Sequence, residues 1–218
     1  MVFLASGFRK KFYTIGEEIA NSITHGLGAL LAIAACVILI VSTSIKGGAL
    51  RIVSSCIYGV SIIVMFTMST LYHALTNEKA KSVFRVFDHT SIFLLIAGTY
   101  TPVALITLRG KLGWTIFGIV WAIAIIGIVL NSINIEKFKR FSMILYIAMG
   151  WCVLFVLPKL IQCLDIRGLI FLLIGGLLYT IGLIFYKLKK IHYMHSIWHV
   201  FVLAGAIMHY FCIQLYVI

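Results

Sequence analysis

The amino-acid sequence predicts an all-α membrane protein, a seven-transmembrane helix bundle. Of its 218 residues, 62% are hydrophobic and only 11% are charged, and the mean hydropathy is +1.12. Soluble domains are about half apolar and about a quarter charged. Apolar runs of about 20 residues recur along the chain, which is the length a helix needs to cross roughly 30 Å of hydrocarbon. The sequence has two prolines and no run of alternating apolar and polar residues, which favours helices over a β-barrel.

Basic and polar residues interrupt the apolar runs and divide the chain into seven predicted spans. The connections between them are short, which predicts that successive helices are antiparallel neighbours in a single domain over residues 1–218. The spans cover about 19–44, 51–75, 85–108, 112–132, 141–160, 168–188 and 195–217.

The distribution of lysine and arginine predicts the orientation of the bundle. The net charge is +12, and the 18 basic residues lie mostly between the predicted spans. Twelve of them flank the span ends on the side of the N-terminus, and six flank the opposite ends. Because cytoplasmic loops are enriched in Lys and Arg, the N-terminus is predicted to be cytoplasmic and the C-terminus extracellular. The same charges indicate contacts with membrane lipids and not with nucleic acid.

The N-terminal residues MVFLASGFRKKFYTIGEE lack the charged, apolar and cleavage-site order of a secretory signal peptide. They are therefore predicted to remain on the protein. Their basic and apolar residues indicate a short amphipathic stretch that lies on the membrane surface.

Ionisable and polar residues inside the predicted spans gather at one depth. The second span ends with Ser69 and His73, the third begins with Asp88, and the seventh begins with His195 and His199. Residues four apart on an α-helix differ by only about 40° in azimuth, so both members of a pair can face one point. Charged groups in a membrane are costly and usually functional. The five residues are therefore predicted to form one cluster near the cytoplasmic leaflet.

Three imidazoles with a carboxylate are typical of catalytic zinc, which has three protein ligands and an open position for water. Neutral imidazole also suits copper, iron and nickel, so the residues alone leave the metal open. Other interpretations remain for each residue. His73, His195 and His199 would be interfacial histidines that reach lipid head groups, Asp88 would be a helix N-cap, and Ser69 would bond its own backbone. Buried Asp and His are also typical of proton relays, which keeps transport open.

The first span carries a second polar stripe. Glu17, Asn21 and His25 are spaced four apart and share one helical face. This stripe is predicted either to support the histidine cluster or to cap the bundle. For His25, a contact with a lipid head group is the equal alternative.

Four segments in this order resemble the bacterial hemolysin III family, within the progestin and adipoQ receptor superfamily, over essentially the whole chain. The Ser, His, Asp and paired-His pattern is also similar to that of the alkaline ceramidases. The segments are EEIANSITHG (17–26), STLYH (69–73), FDHTSIFLLIAGTYTP (87–102) and HSIWH (195–199).

The resemblance implies a multi-pass protein of the bacterial plasma membrane with zinc held by His73, His195 and His199. It implies that Asp88 binds or orients the zinc water and that Ser69 supports the site. The predicted function is a zinc-dependent hydrolase of lipid amides or esters. The alternatives are a membrane regulator or pore-forming cytolysin with structural zinc, and an ion or proton transporter. The oligomeric state is left open.

Overall fold

The computed structural model describes residues 13–188 and 190–218, and the regular structure in these ranges is helical. Within them, six continuous helical segments are long and apolar enough to cross a membrane. This confirms the predicted all-α membrane fold. The predicted basic stretch at residues 1–12 lies outside the described residues. The six segments are Ile15–Lys46, Ala49–Ala74, Glu78–Leu108, Gly110–Cys163, Ile166–Lys187 and Met194–Val217.

Seven α-helices make up these segments, and short π-helical or 3-10 turns extend three of them. A π-helical turn follows α3 at Val103–Leu108 and another follows α7 at Ile213–Val217, while a 3-10 turn at Cys152–Val156 joins α4 to α5. The helices are α1 (Ile15–Lys46), α2 (Ala49–Ala74), α3 (Glu78–Pro102), α4 (Gly110–Trp151), α5 (Leu157–Cys163), α6 (Ile166–Lys187) and α7 (Met194–Cys212).

Polar side chains define where α1 and α7 begin. At the start of α1 the Thr14 hydroxyl accepts from the Glu17 N–H, and the Glu17 carboxylate accepts from the Thr14 N–H at 2.8 Å, which is a capping box. The second Glu17 oxygen accepts from the N–H of Tyr193 at 2.8 Å. Tyr193 immediately precedes α7 and has a left-handed backbone with φ 62°. Glu17 therefore ties the beginnings of α1 and α7 together.

A break in the backbone divides α4 into two parts. Asn134 has φ −160° and ψ 97°, which is not helical, and its side-chain oxygen accepts from the N–H of Lys137 at 3.0 Å as an N-cap does. Across the break, the Ser142 hydroxyl donates to the Asn131 side chain at 2.7 Å. With 42 residues, α4 is about 63 Å long, roughly twice the thickness of membrane hydrocarbon. The predicted spans 112–132 and 141–160 lie on either side of Asn134.

The core sits around α3. In the membrane-length segment that contains α3, 72% of the most apolar stretch is buried inside the protein, compared with 17% for α6. Large side chains that include Tyr58, Phe66 and Phe93 are fully buried there. Close approach of α1 to α2 occurs at Gly28, where an added Cβ would lie 2.6 Å from the Phe66 ring. This approach brings the first turns of α1 against the end of α2, where the candidate site lies.

Candidate metal centre

Three histidines meet where α2 ends and α7 begins. His73, His195 and His199 are all buried, and one ligand atom from each lies within 4.8 Å of the others. The ring centroids are 5.2 Å apart for His73 and His195, and 4.7 Å apart for His195 and His199. The head-group interpretation of these histidines is wrong, because their side chains point into the bundle and are shielded from its surface. The structure thus brings the predicted ligand set together.

The ring nitrogens of two histidines fit a metal site. Among the described residues, the Nε2 atoms of His73 and His199 are buried and have no hydrogen-bond partner. A buried polar atom without a partner is costly, so native structures rarely leave one without a function. A neutral imidazole nitrogen with a lone pair is a ligand for zinc and related metals. The donor set therefore fits a metal ion of this class.

Glu18 orients the ring of His73. Its carboxylate lies 2.6 Å from His73 Nδ1 and accepts the proton there, which leaves Nε2 with the lone pair. The other Glu18 oxygen lies 2.8 Å from the ammonium of Lys81 in α3. A carboxylate behind a metal-binding histidine is the usual device that sets the tautomer and raises ligand basicity.

Glu18 is a site residue that sequence reasoning missed. The four-residue spacing selected Glu17, Asn21 and His25, and Glu18 lies about 100° away from Glu17 around the helix. The first turn of α1 contacts both α7 and α2, because Glu17 binds the backbone before α7 and the partly buried Glu18 reaches His73 of α2. Two consecutive acidic residues just before the predicted first span were the available signal.

Asn21 joins the two histidine-bearing helices. It is fully buried, and its backbone carbonyl accepts from His199 Nδ1 at 3.2 Å, which again leaves Nε2 with the lone pair. Its side-chain oxygen accepts from the Ser196 hydroxyl at 2.6 Å, and its side-chain nitrogen lies 3.4 Å from His73 Nδ1. Asn21 thereby fixes two residues of α7, and its side chain lies beside His73 of α2.

His25 lies against the cluster at His199. Its ring stacks on that of His199 with centroids 3.6 Å apart and planes 6° apart, and it meets the ring of Phe66 edge-on with centroids 5.0 Å apart. Both of its ring nitrogens are buried and lack a hydrogen-bond partner in the described ranges. The head-group interpretation of His25 is wrong, because only 1% of the residue is exposed.

Asp88 and Ser69 are both buried near the cluster. The predicted N-cap role of Asp88 is wrong, because α3 begins at Glu78 and Asn77 caps it by accepting from the Ala80 N–H. Ser69 is 1% exposed, and within the described part of the chain its hydroxyl has no partner, so the predicted bond to its own backbone is not present. The Asp88 carboxylate lies 3.5 Å from His89 Nδ1.

Asp88, His25 and His195 line one end of a long cavity. The cavity runs between α3, the second part of α4, α6 and α7 as far as His209, a distance of about 21 Å along α7 at 1.5 Å per residue. Its empty volume, which includes the space at its open mouth, is about 1360 Å³. Apolar side chains dominate the middle of its wall, among them Ile92, Leu95, Ile147, Leu183 and Val202.

Tyr13 lies against the histidine end of this cavity. Its ring stacks on His195 with centroids 4.7 Å apart. Burial raises the pKa of the Tyr13 hydroxyl, and nearby Tyr72, Tyr186 and acidic groups raise it further. The hydroxyl therefore remains a hydrogen-bond donor at physiological pH.

Comparison with known proteins assigns the chain to a family. A family model described as haemolysin-III related matches residues 13–210, which includes every residue of the histidine cluster. The chain belongs to this family. Among haemolysin-III-related proteins, Hemolysin-3 of Bacillus cereus is 45% identical over 204 residues, 94% of this chain and 93% of that protein. Hemolysin-3 homolog of Bacillus subtilis (strain 168) is also 45% identical over 204 residues, 94% and 96% of the two chains.

A more distant relative is found in animals. Monocyte to macrophage differentiation factor of Homo sapiens is 28% identical over 209 residues, 93% of this chain and 85% of that protein. Membership in the haemolysin-III-related family confirms the resemblance inferred from the sequence motifs. Together with the six membrane-length helices, it confirms the prediction of a multi-pass protein of the cell membrane.

The Glu18 contact predicts a loss of metal affinity in Glu18→Gln. Glutamine keeps the size of the side chain but removes the charge behind His73 Nδ1, so we expect zinc affinity to fall by about tenfold or more. Competition with a chromogenic zinc chelator in detergent measures the effect. Glu78→Gln is the matched control, because Glu78 is exposed in the first turn of α3. Unchanged affinity in Glu18→Gln would show that the carboxylate does not act on the metal ligand.

Proposed function

We propose that the protein is a zinc-dependent hydrolase that cleaves amide or ester bonds of lipids inside the membrane. One observation carries this proposal. His195 of the three-histidine cluster lines one end of a long apolar cavity, and Asp88 and His25 line that same end. A metal site beside a chamber for an acyl chain favours chemistry on lipids over a structural role.

The chain's own residues supply the metal ligands. Nε2 of His73, Nε2 of His199 and a ring nitrogen of His195 would hold the ion, while Glu18 and Asn21 keep two of the rings in the required tautomer. When bound, zinc supplies a Lewis acid that polarises a carbonyl and acidifies water near neutral pH.

Asp88 and Ser69 are the residues for proton transfer and charge stabilisation. The Asp88 carboxylate would accept a proton from the attacking water and return it to the leaving nitrogen or oxygen. The Ser69 hydroxyl, which has no partner among the described residues, would donate to the oxygen on which negative charge develops. Hydrolysis adds one water across the acyl C–N or C–O bond and releases a fatty acid with an amine or an alcohol.

The proposal places the site near the cytoplasmic leaflet of a seven-span bundle. Asn134 breaks α4 between two stretches that each have the length of a span, which supports two crossings by this segment. The excess of lysine and arginine at the ends where α1, α3 and α7 begin supports a cytoplasmic location for those ends. The C-terminus would then be extracellular.

Activity that depends on zinc is the expected result of the direct test. Detergent-purified protein loaded with zinc should release fatty acid from long-chain lipid amides or esters, because the proposed site holds metal, proton acceptor and acyl chamber together. Chelation should abolish release and added zinc should restore it, with the free fatty acid measured by mass spectrometry. Folded, zinc-loaded protein that hydrolyses neither lipid class would overturn the hydrolase proposal.

Transport is the second candidate, and one observation favours it. At the far end of the cavity, His209 Nδ1 and the Tyr179 hydroxyl are buried and lack hydrogen-bond partners among residues 13–188 and 190–218. Polar groups therefore occur at both ends of the cavity. The sequence had predicted a polar cluster at one depth in the membrane only. Proton or ion flux in sealed vesicles without hydrolysis would favour this function.

A further inference from the structure

A small cleft adjoins the histidine end of the apolar cavity and shares lining residues with it. Arg85, Asp88, Lys139 and His195 line this cleft, and Tyr13 lies beside them. Asp88, Lys139 and His195 also line the cavity itself. We name this region the headgroup cleft. A molecule that occupies both spaces would place its polar end in the cleft and its apolar end in the cavity.

Two positively charged side chains line the headgroup cleft, and they differ in their partners. Arg85 is 7% exposed and forms an ion pair with Glu136, so its charge is compensated. Lys139 is partly buried, and no ion pair to it is present in the described ranges of the chain. Lys139 therefore carries a positive charge that no described acidic side chain pairs with. An anion bound in the cleft would gain a charge-assisted contact with its ammonium.

The acidic residue of the cleft, Asp88, does not pair with Lys139. Its carboxylate lies 3.5 Å from Nδ1 of His89, which also contacts the Arg85 carbonyl oxygen at 3.0 Å. Neither Asp88 nor Glu136 forms an ion pair with the ammonium of Lys139, because Glu136 binds Arg85 instead. An anionic ligand would approach on the Lys139 side of the cleft.

We propose that the cleft and cavity together bind a single-chain lipid with an anionic headgroup, whose charge pairs with Lys139 while its acyl chain fills the cavity. The inference adds a substrate class to the proposed hydrolase function. It rests on that function for the expectation that the bound lipid is cleaved. His195 lines both spaces, so the bond that joins headgroup to chain would lie beside the histidine cluster. An N-acyl amino acid has this arrangement, because its carboxylate lies next to the amide and its acyl chain lies on the other side. It is therefore the substrate class that fits.

Two lipid amides with the same acyl chain test this inference. N-oleoylglycine carries a carboxylate, and N-oleoylethanolamine carries a neutral hydroxyl in its place. With both at equal concentration in one detergent sample, native mass spectrometry measures the ratio of bound lipids. We expect wild-type protein to prefer N-oleoylglycine by about tenfold, as one charge-assisted contact predicts. Lys139→Gln should abolish the preference, and Lys139→Arg should keep it.

Lys137→Gln is the matched control. It removes the same charge two residues away, where Lys137 is exposed and lies over the Phe138 ring. We expect its preference for N-oleoylglycine to equal that of the wild type. Loss of preference in Lys137→Gln as large as in Lys139→Gln would show a general effect of surface charge and overturn the inference. Absence of preference in the wild type, or its survival in Lys139→Gln, would also overturn it.

The binding ratio separates this inference from the hydrolase proposal. It is measured in zinc-loaded protein and again after chelation, so that a carboxylate bound to metal is not mistaken for one bound to Lys139. A preference that needs Lys139 in both states supports the cleft even if no lipid is cleaved. Hydrolysis of the neutral amide without any preference would support the hydrolase and reject the anionic headgroup.

Discussion

Replacing His195 and His199 together with alanine is expected to remove the bound metal from the purified protein. Wild-type protein made without added zinc should carry about one zinc ion per chain, as a single three-histidine site predicts. The double variant keeps only His73 of the cluster, and one imidazole does not retain the ion through purification. Elemental analysis of detergent-purified protein measures the content, and size-exclusion chromatography with circular dichroism verifies folding in both proteins.

His192→Ala is the control for this experiment. His192 also lies near the start of α7, but its side chain is 74% exposed, so its loss should leave the metal content unchanged. A well-folded wild type with no metal, even after zinc is supplied, would reject the metal centre. Metal that persists at wild-type levels in the double variant would place the ion elsewhere in the protein.

Replacing Asp88 with asparagine is expected to lower turnover by about 10²- to 10⁴-fold while zinc stays bound. Asparagine has nearly the same shape and can still hydrogen-bond, but it cannot accept a proton, and general base catalysis typically contributes a factor of this size. Release of fatty acid under saturating lipid measures turnover, and elemental analysis of the same sample measures zinc.

Asp165→Asn is the matched control for Asp88→Asn. Asp165 caps α6 at the protein surface and pairs with Arg167, so its loss should leave turnover intact. Loss of zinc in Asp88→Asn would mean that the carboxylate is itself a metal ligand. Full turnover with bound zinc would exclude Asp88 as the proton acceptor.

Spacing along single helices was sufficient to select the histidine cluster. His195 and His199 lie four apart on α7, so they share one face of that helix. His73 lies at the end of α2, which runs in the opposite direction to α7, so the order of the spans predicted that all three histidines lie at the same depth in the membrane. The structure places their ligand atoms within 4.8 Å of one another. Depth and azimuth on one helix are local properties, and for this reason they were predictable.

Contacts between helices were harder to predict. Glu17 and Glu18 are adjacent and identical in type, yet Glu18 contacts His73, whereas Glu17 contacts the backbone before α7. Which of them faces α2 depends on the rotation of α1 about its axis, which the packing of Gly28 against Phe66 helps to set. The position of Asp88 within its helix was also mispredicted. The structure starts α3 at Glu78, seven residues before the predicted start at 85, so Asp88 is inside the helix and not at its cap.

By itself, the sequence determined the membrane class of the protein, the approximate limits of its apolar segments and the histidines that can hold a metal. Each of these depends on hydrophobicity and on spacing along one helix, which are properties of neighbouring residues. Only the tertiary structure decided that Glu18 and Asn21 orient two of those histidines, that the apolar cavity ends beside His195, and that Lys139 lines this cavity. These features join side chains from different helices, and the relative rotation and distance of helices follow from packing across the whole bundle.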